Sequence, residues 1–397
     1  MSLLQKYNVV GEPTVESFLE NLDQVVHKLE TSSKHMTILD AEIARIEGLE
    51  AKGVTVSVED ASSELLEVVR CLSNEIDLES LGIEDEVGGH SDLLKRLLDG
   101  VIQDKIRTIN LFLDVFKSWP SMAKKYKEKL TGQKNKLKNI NKDVNFKSHI
   151  TTESIARIFL KAKGKKWEMS DSIVQDISDL NNLADFFIND YHPRVSSILL
   201  DAVGLLDKIS KDNTDANEIL KKFLSSTPSL DKIIPKKYLT TFISGTELKI
   251  EDKSESILGK LGLQKGKEVK FTSASEGFFK DAFKLYKLEY PDVRMSYKEL
   301  SDLIDESEKT LTIIEETMGV SKGFEEINKR IDVALNKHLK GLEGVSDIDA
   351  DTLKGLGEIL KDLSTNAIKP MISISKTIIL TNSQTYMLTD SLLKNPE

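Results

Sequence analysis

Seven lysines crowd into residues 124–138: Lys124, Lys125, Lys127, Lys129, Lys134, Lys136 and Lys138, with Glu128 the one acid among them. Lys142 and Lys147 follow, then Lys161, Lys163, Lys165 and Lys166. Ammonium groups at this density can neutralise phosphates and hold nucleic acid without reading its sequence. The same run also reads as a solvated helix end and linker, because the chain carries a formal charge of −10, unusual for a dedicated nucleic-acid binder. Interleaved aromatics are limited to Tyr126, Phe146 and Trp167, too few for a base-stacking platform. If the seven lysines line one surface, neutralising about six phosphates predicts on the order of a thousandfold loss of affinity between low and physiological salt.

Other constellations are weaker. The histidines, His27, His35, His90, His149, His192 and His338, show no zinc-helix spacing. The one cysteine, Cys71, lies in the apolar stretch Leu65-Leu66-Glu67-Val68-Val69-Arg70-Cys71-Leu72 and is expected to be a core thiol. Residues 59–86 are acidic, but no calcium-loop spacing is present, so a solvated face is expected there. The segment Gly259-Lys260-Leu261-Gly262-Leu263-Gln264-Lys265-Gly266-Lys267 imitates a phosphate loop. Its first glycine is misplaced, and Glu268 stands where a magnesium-binding hydroxyl is required. Gly355-Leu356-Gly357 lacks the third glycine and the preceding strand of a dinucleotide turn. No nucleophile stands beside a base in the sequence. The expectation is a non-enzymatic protein with no metal or cofactor.

Amphipathic helices must position the lysines. Val15, Phe18, Leu19, Leu22, Val25, Val26, Leu29, Ser32, Met36, Leu39, Ile43 and Ile46 recur at steps of three and four, with Gly48 and Gly53 as stop signals. A second helix is expected over 62–76 and a third over 91–129, bent near Trp119-Pro120. Near the C-terminus, one stripe from Leu300 to Ile314 ends by Gly319, and another runs from Phe324 to Leu342. Shorter helices are expected over 351–363 and 368–393, the last with Pro370 in its first turn. Single-striped helices of this kind must pack into bundles. Residues 144–150, 239–243, 248–250 and 269–272 alternate as strands, with Ser244-Gly245-Thr246 a hairpin turn. Helices are expected between them over 170–188 and 195–209. The fold class is therefore mainly α: N- and C-terminal helical bundle segments with a small α+β insert in the middle. The expected division is 1–135 as the N-terminal helical segment, 136–285 as the lysine-rich joint and insert, and 286–397 as the C-terminal helical segment.

At 397 residues, 39% hydrophobic and 30% charged, the chain can bury more than one core. A single cysteine excludes an internal disulfide and fits a reducing cytoplasm. The opening residues lack a basic region followed by an apolar stretch, and no run of 18 apolar residues occurs, so no membrane partner is expected.

This layout resembles the internal head proteins, or inner-body virion structural proteins, of large tailed bacteriophages. The likeness rests on the amphipathic opening from Tyr7 to Leu22, the lysine-rich joint entering a strand and helix from Asn141 to Leu160, the hairpin insert from Phe242 to Thr272, and the closing helix from Asn366 to Leu393. The resemblance implies a virion protein made in the host cytoplasm and packaged in the phage head. Its partners would be other virion proteins and packaged DNA, held without sequence preference. It also implies processing after small-x-Glu sites, of which Ser62-Ser63-Glu64 and Ser73-Asn74-Glu75 are two among several. The competing expectation is a cytoplasmic helical adaptor or scaffold that grips a partner protein through an apolar groove.

Overall fold

Helix α1, Val15–Glu50, buries Phe18, Leu22, Val25, Leu29, Ser32, Met36 and Leu39, alternating steps of four and three. Such a stripe is stable only when covered, and helix α3, His90–Lys117, covers it with Leu97, Val101, Ile102, Ile106 and Ile109. Helix α2, Ser63–Glu75, closes onto both through Leu65 and Val68. Gly53, with φ at 75°, takes the left-handed conformation just past α1, where a side chain would be strained. The computed structural model describes residues 15–50, 52–53, 63–75, 90–117, 119–151, 153–163, 166–212, 233–239, 241–242, 246–253, 266–272, 289–340 and 367–397. The glycine-rich segment before Gly266, most of the acidic stretch and the helix expected over 351–363 lie outside them.

Helix α4, Trp119–Lys138, follows α3 with Pro120 at its start, where the missing amide donor costs nothing. It runs past Lys129, so the lysine run is helical and not a linker. Lysine is a good helix former, and Leu130, Gln133 and Leu137 give the helix a buried side. Strand β1, Asn145–His149, comes next, then a short helix α5, Glu153–Ala156, and a 3-10 turn, Arg157–Phe159. Strands β2, Leu160–Lys163, and β3, Lys166–Met169, pair antiparallel. The sequence reading contains no such hairpin. Helix α6, Ile173–Phe186, passes through a wider, π-helical turn, Phe187–Tyr191, into helix α7, His192–Asp212. Strand β4, Thr241–Phe242, pairs with β5, Thr246–Lys253, and β5 with β6, Gly266–Thr272, as the alternation predicts. The hairpin's turn residues 243–245 lie outside the described set.

Strand β7, Asp292–Ser296, is absent from the sequence expectation, and it changes the meaning of β1. The two pair antiparallel, Phe146 opposite Met295 and His149 opposite Asp292. Among the described strands, the one at residues 145–149 therefore pairs with β7 and with no strand of the insert, and the pair closes the insert at its base. The C-terminal residues add to the other edge of β1: the amide of Glu397 donates to the Asn145 carbonyl at 2.7 Å, and that of Lys147 to Asn395 at 3.1 Å.

Helix α8, Tyr297–Lys340, is the spine, in contact with α3, α4, α6, α7, the final helix and β7. Ser296 and Glu299 cap its start reciprocally: the Ser296 amide donates to the Glu299 carboxylate at 2.8 Å, and the Glu299 amide to the Ser296 hydroxyl at 3.3 Å. The expected break at Gly319 does not occur. A glycine costs a helix about 1 kcal/mol. Phe324 and Ile327 beyond it are fully buried, and each contributes about 2 kcal/mol by burial, so continuation wins. At Gly323 a β-carbon would stand 3.7 Å from the Ser196 hydroxyl of α7, an ordinary contact, so the approach of α7 there does not depend on the glycine.

The final helix α9, Lys369–Leu393, with Pro370 in its first turn as expected, is buried on almost every side. It touches α1, α4, α6, α8, β1 and β6. Its many hydroxyls tolerate burial because they fold back onto the helix: Thr377 donates to the Ser373 carbonyl at 3.0 Å and Thr385 to Thr381 at 2.8 Å. The protein is mainly α with a small α+β insert.

Candidate interaction surface

All seven candidate lysines sit on α4, but they do not form one surface. At about 100° per residue, Lys127 and Lys134 fall on one side of the helix and Lys125, Lys129 and Lys136 on the opposite side. Exposed Glu128, Thr131, Gly132 and Asn135 form the outward ridge between them. Lys124 and Lys138, both exposed, lie nearer the first side. The lysines thus make two rows.

The first row faces α8. Lys127 pairs with Glu315, and Lys134 pairs with Glu308 and, at 2.8 Å, with Asp305. Both partners step by seven residues in opposite directions, so α4 and α8 run antiparallel with one ion pair every two turns. Burial works against the Lys134 ammonium, yet Asp305 and Glu308 hold its pKa above the ordinary lysine value. The same device joins α9 to α1, where Lys369 meets Glu30 at 2.7 Å and Lys376 meets Asp23. Pairs of this exposure are each worth about 0.2–1 kcal/mol and are screened by salt. Lys134→Gln is expected to cost about 1 kcal/mol in urea unfolding at 0.05 M salt and almost nothing at 1 M. An equal cost at both salts would exclude an electrostatic role.

The second row faces α9, which runs parallel to α4. Gln133 is buried in the seam, donating to the Tyr386 carbonyl at 3.1 Å and accepting from Thr389 at 2.8 Å. Above it the Lys129 ammonium lies 5.5 Å from the Tyr126 ring centre and 5.4 Å from that of Tyr386. Lys136 stands 3.8 Å from Asp390, whose other oxygen takes Lys394 at 2.7 Å. That bond holds the Lys394 pKa above its ordinary value. Of the later lysines, Lys161 is spent on buried Asp176 at 2.6 Å, which also accepts from Ser170.

A nucleophile beside a base, absent from the linear sequence, exists in space. Lys105, fully buried between α1 and α3, donates to the Ser33 hydroxyl at 2.7 Å, across 72 residues of chain. Beside it Ser32 donates to Asp104 at 2.7 Å, and burial lowers the pKa of His35 against the opposing charge of Asp104. A serine–lysine pair can be catalytic when backbone donors wait for an oxyanion. Ser33 sits in the middle of α1, where amides are used within the helix, and its hydroxyl donates to the Leu29 carbonyl at 2.7 Å. Here the pair acts as a bolt between two helices. Among the described residues no group of three or more histidine, cysteine or acidic side chains could hold a metal ion. No described helix is long and apolar enough to cross a membrane. Cys71, expected in the core, is only partly buried, with its sulfur 3.7 Å from the Glu67 carboxylate, because it lies off the Leu65–Val68 stripe of α2.

His192 occupies a different kind of place. The π-helical turn before it packs Phe187 and Tyr191 against its ring at 6.2 and 5.5 Å, and Phe324 of α8 meets it edge-on at 5.3 Å. It is fully buried, and neither ring nitrogen has a hydrogen-bond partner. Burial alone pushes its pKa down to about 3. No local pattern marks this burial, since Asp190, Tyr191 and Pro193 around it are residue types common in a surface turn.

Compared with protein-family models, curated proteins and solved structures, the chain matches none. The geometry must carry the functional reading.

Proposed function

We propose that this chain is a non-enzymatic structural protein of a bacteriophage virion, packaged in the head and meeting DNA or other head proteins through α4. The observation that supports the reading is the exposure of Lys124, Lys125, Lys129, Lys136 and Lys138 along one surface helix of an otherwise acidic chain. Exposed ammonium groups on a rigid helix suit contact with phosphate or acidic protein without sequence selection. The remaining chemistry is spent inside: Lys105, Lys127, Lys134, Lys161, Lys369 and Lys376 all bind this chain's own side chains.

Mass spectrometry of purified particles of the encoding phage tests the proposal. Recovery of the chain from particles washed free of host protein is the expected result. Its absence from them, with the chain present in the infected-cell lysate, would leave the adaptor reading in its place.

A further inference from the structure

The β1–β7 ribbon has two chemically different faces. Alternation turns Phe146, Ser148, Val293 and Met295 inward, where Ser148 meets Ser391 of α9 at 2.7 Å. The outer face places Lys147 directly opposite Arg294, and His149 opposite Asp292. Opposed side chains on one face of an antiparallel pair have β-carbons about 5 Å apart, and like charges there destabilise the pairing. The neighbouring rung is matched: the Asp292 carboxylate bonds the His149 ring through Nδ1. That bond first, and then the charges of His149, Lys147 and Arg294, hold the Asp292 carboxyl below its ordinary pKa against a small opposing effect of burial. The two cations are therefore felt one rung away but bond nothing there. Among the described residues, neither the Lys147 nor the Arg294 side chain has a hydrogen bond or an ion pair. Arg294 is exposed and Lys147 half-buried. On the other edge of β1, Glu397 lies beside Asn145, also one rung from Lys147, and is exposed.

We propose that Lys147 and Arg294 are the seat of a phosphate group, with the planar Arg294 fork taking two oxygens and the Lys147 ammonium a third. A guanidinium matches phosphate bidentately, and an ammonium adds a point charge to the same group. A like-charge rung works against the ribbon and makes no bond within it. Such a broken local rule is expected where a ligand completes the arrangement. The seat goes beyond the α4 reading and does not depend on it, because α4 ends at Lys138 and supplies neither group. Free phosphate, a phosphorylated small molecule and one phosphate of a DNA backbone would all be held by this chemistry.

The test follows the His149 ring protons of the full chain by NMR, assigned by their loss in His149→Gln. Sodium phosphate is added to about 20 mM at fixed pH and an ionic strength of about 0.1 M, and a short duplex is added in a second arm. In wild type the His149 signal should shift and saturate, with a dissociation constant for phosphate on the order of a millimolar. Lys147→Glu and Arg294→Gln should each remove the shift, while Lys236→Glu, an exposed lysine on another segment, should keep it. Lys147→Glu should also melt at a higher temperature than wild type at low salt, because the rung is now matched. Saturation by both additions makes the DNA backbone the source; saturation by phosphate alone makes it a small phosphorylated molecule. No saturable shift with either, a shift that survives Lys147→Glu, or a Lys147→Glu protein that melts lower than wild type overturns the seat.

Discussion

Replacing Phe324 with alanine is expected to cost about 3–5 kcal/mol of folding stability, the range for emptying a fully buried aromatic site. Phe324 has no exposed surface. Its ring lies 6.2 Å from Phe112 of α3, tilted at 56°, and 5.3 Å from His192 of α7 in an edge-to-face arrangement at 86°. One side chain thus ties the spine helix to two others, and no small movement of α8 can close the gap it would leave. Ile327 one turn later is also fully buried and holds the backbone where it is. Urea unfolding followed by circular dichroism measures the cost, with Phe324→Leu expected to recover more than half of it. A loss below about 1 kcal/mol for the alanine variant would mean that the ring is not packed as described.

The helical frame was legible because burial follows one rule along it. Phe18, Leu22, Val25, Leu29, Met36 and Leu39 repeat at steps a helix face demands, and every one is buried. The β5–β6 pairing was legible for the same reason at period two. What failed was punctuation. Gly319 reads as a helix end, yet tertiary burial of Phe324 outweighs it. The lysine run reads as a joint because charge masks its three buried positions, Leu130, Gln133 and Leu137. Strand β7 has only Val293 and Met295 to mark it, although the Ser296-Tyr297-Lys298-Glu299 capping box announces the helix that follows. The division of the lysines into two rows follows from 3.6-residue periodicity, but knowing which row faces carboxylates needed α8 and α9 in place. The Ser33–Lys105 bolt and the His192 knot join residues far apart in the chain, and no local pattern encodes either.

His192 makes a second large prediction, and its sign can be worked out. Unfolded, the imidazole titrates near its ordinary value of 6.5; folded, burial holds it at about 3. Between those pH values the unfolded chain binds a proton that the folded chain refuses, so stability falls as the pH drops from 6.5 towards 3. Nothing is lost above pH 6.5. At 1.36 kcal/mol per pH unit the full loss is on the order of 4–5 kcal/mol, reached only near pH 3. The charged side chains on the surrounding elements do not offset it: Asp190 and Arg194 are exposed on their own turn, Lys322, Glu325 and Glu326 lie on the outer side of α8, and burial is the sole cause of the shift. His192→Met keeps an apolar side chain of similar bulk in the knot and removes the titration. At pH 7 the variant should be no less stable than wild type, because the two unpaired ring nitrogens are gone from the interior. At pH 4.5 it should be more stable by about 2–3 kcal/mol, which is the window integrated from 6.5 to 4.5. Urea unfolding at the two pH values reads the difference directly. Histidine ring signals followed by NMR give an independent measure: one of the six should stay neutral down to pH 4.5 in wild type and vanish in His192→Met. Parallel pH profiles for the two proteins, or a His192 signal that titrates above pH 5, would show that the ring reaches water and that the knot opens in the native state.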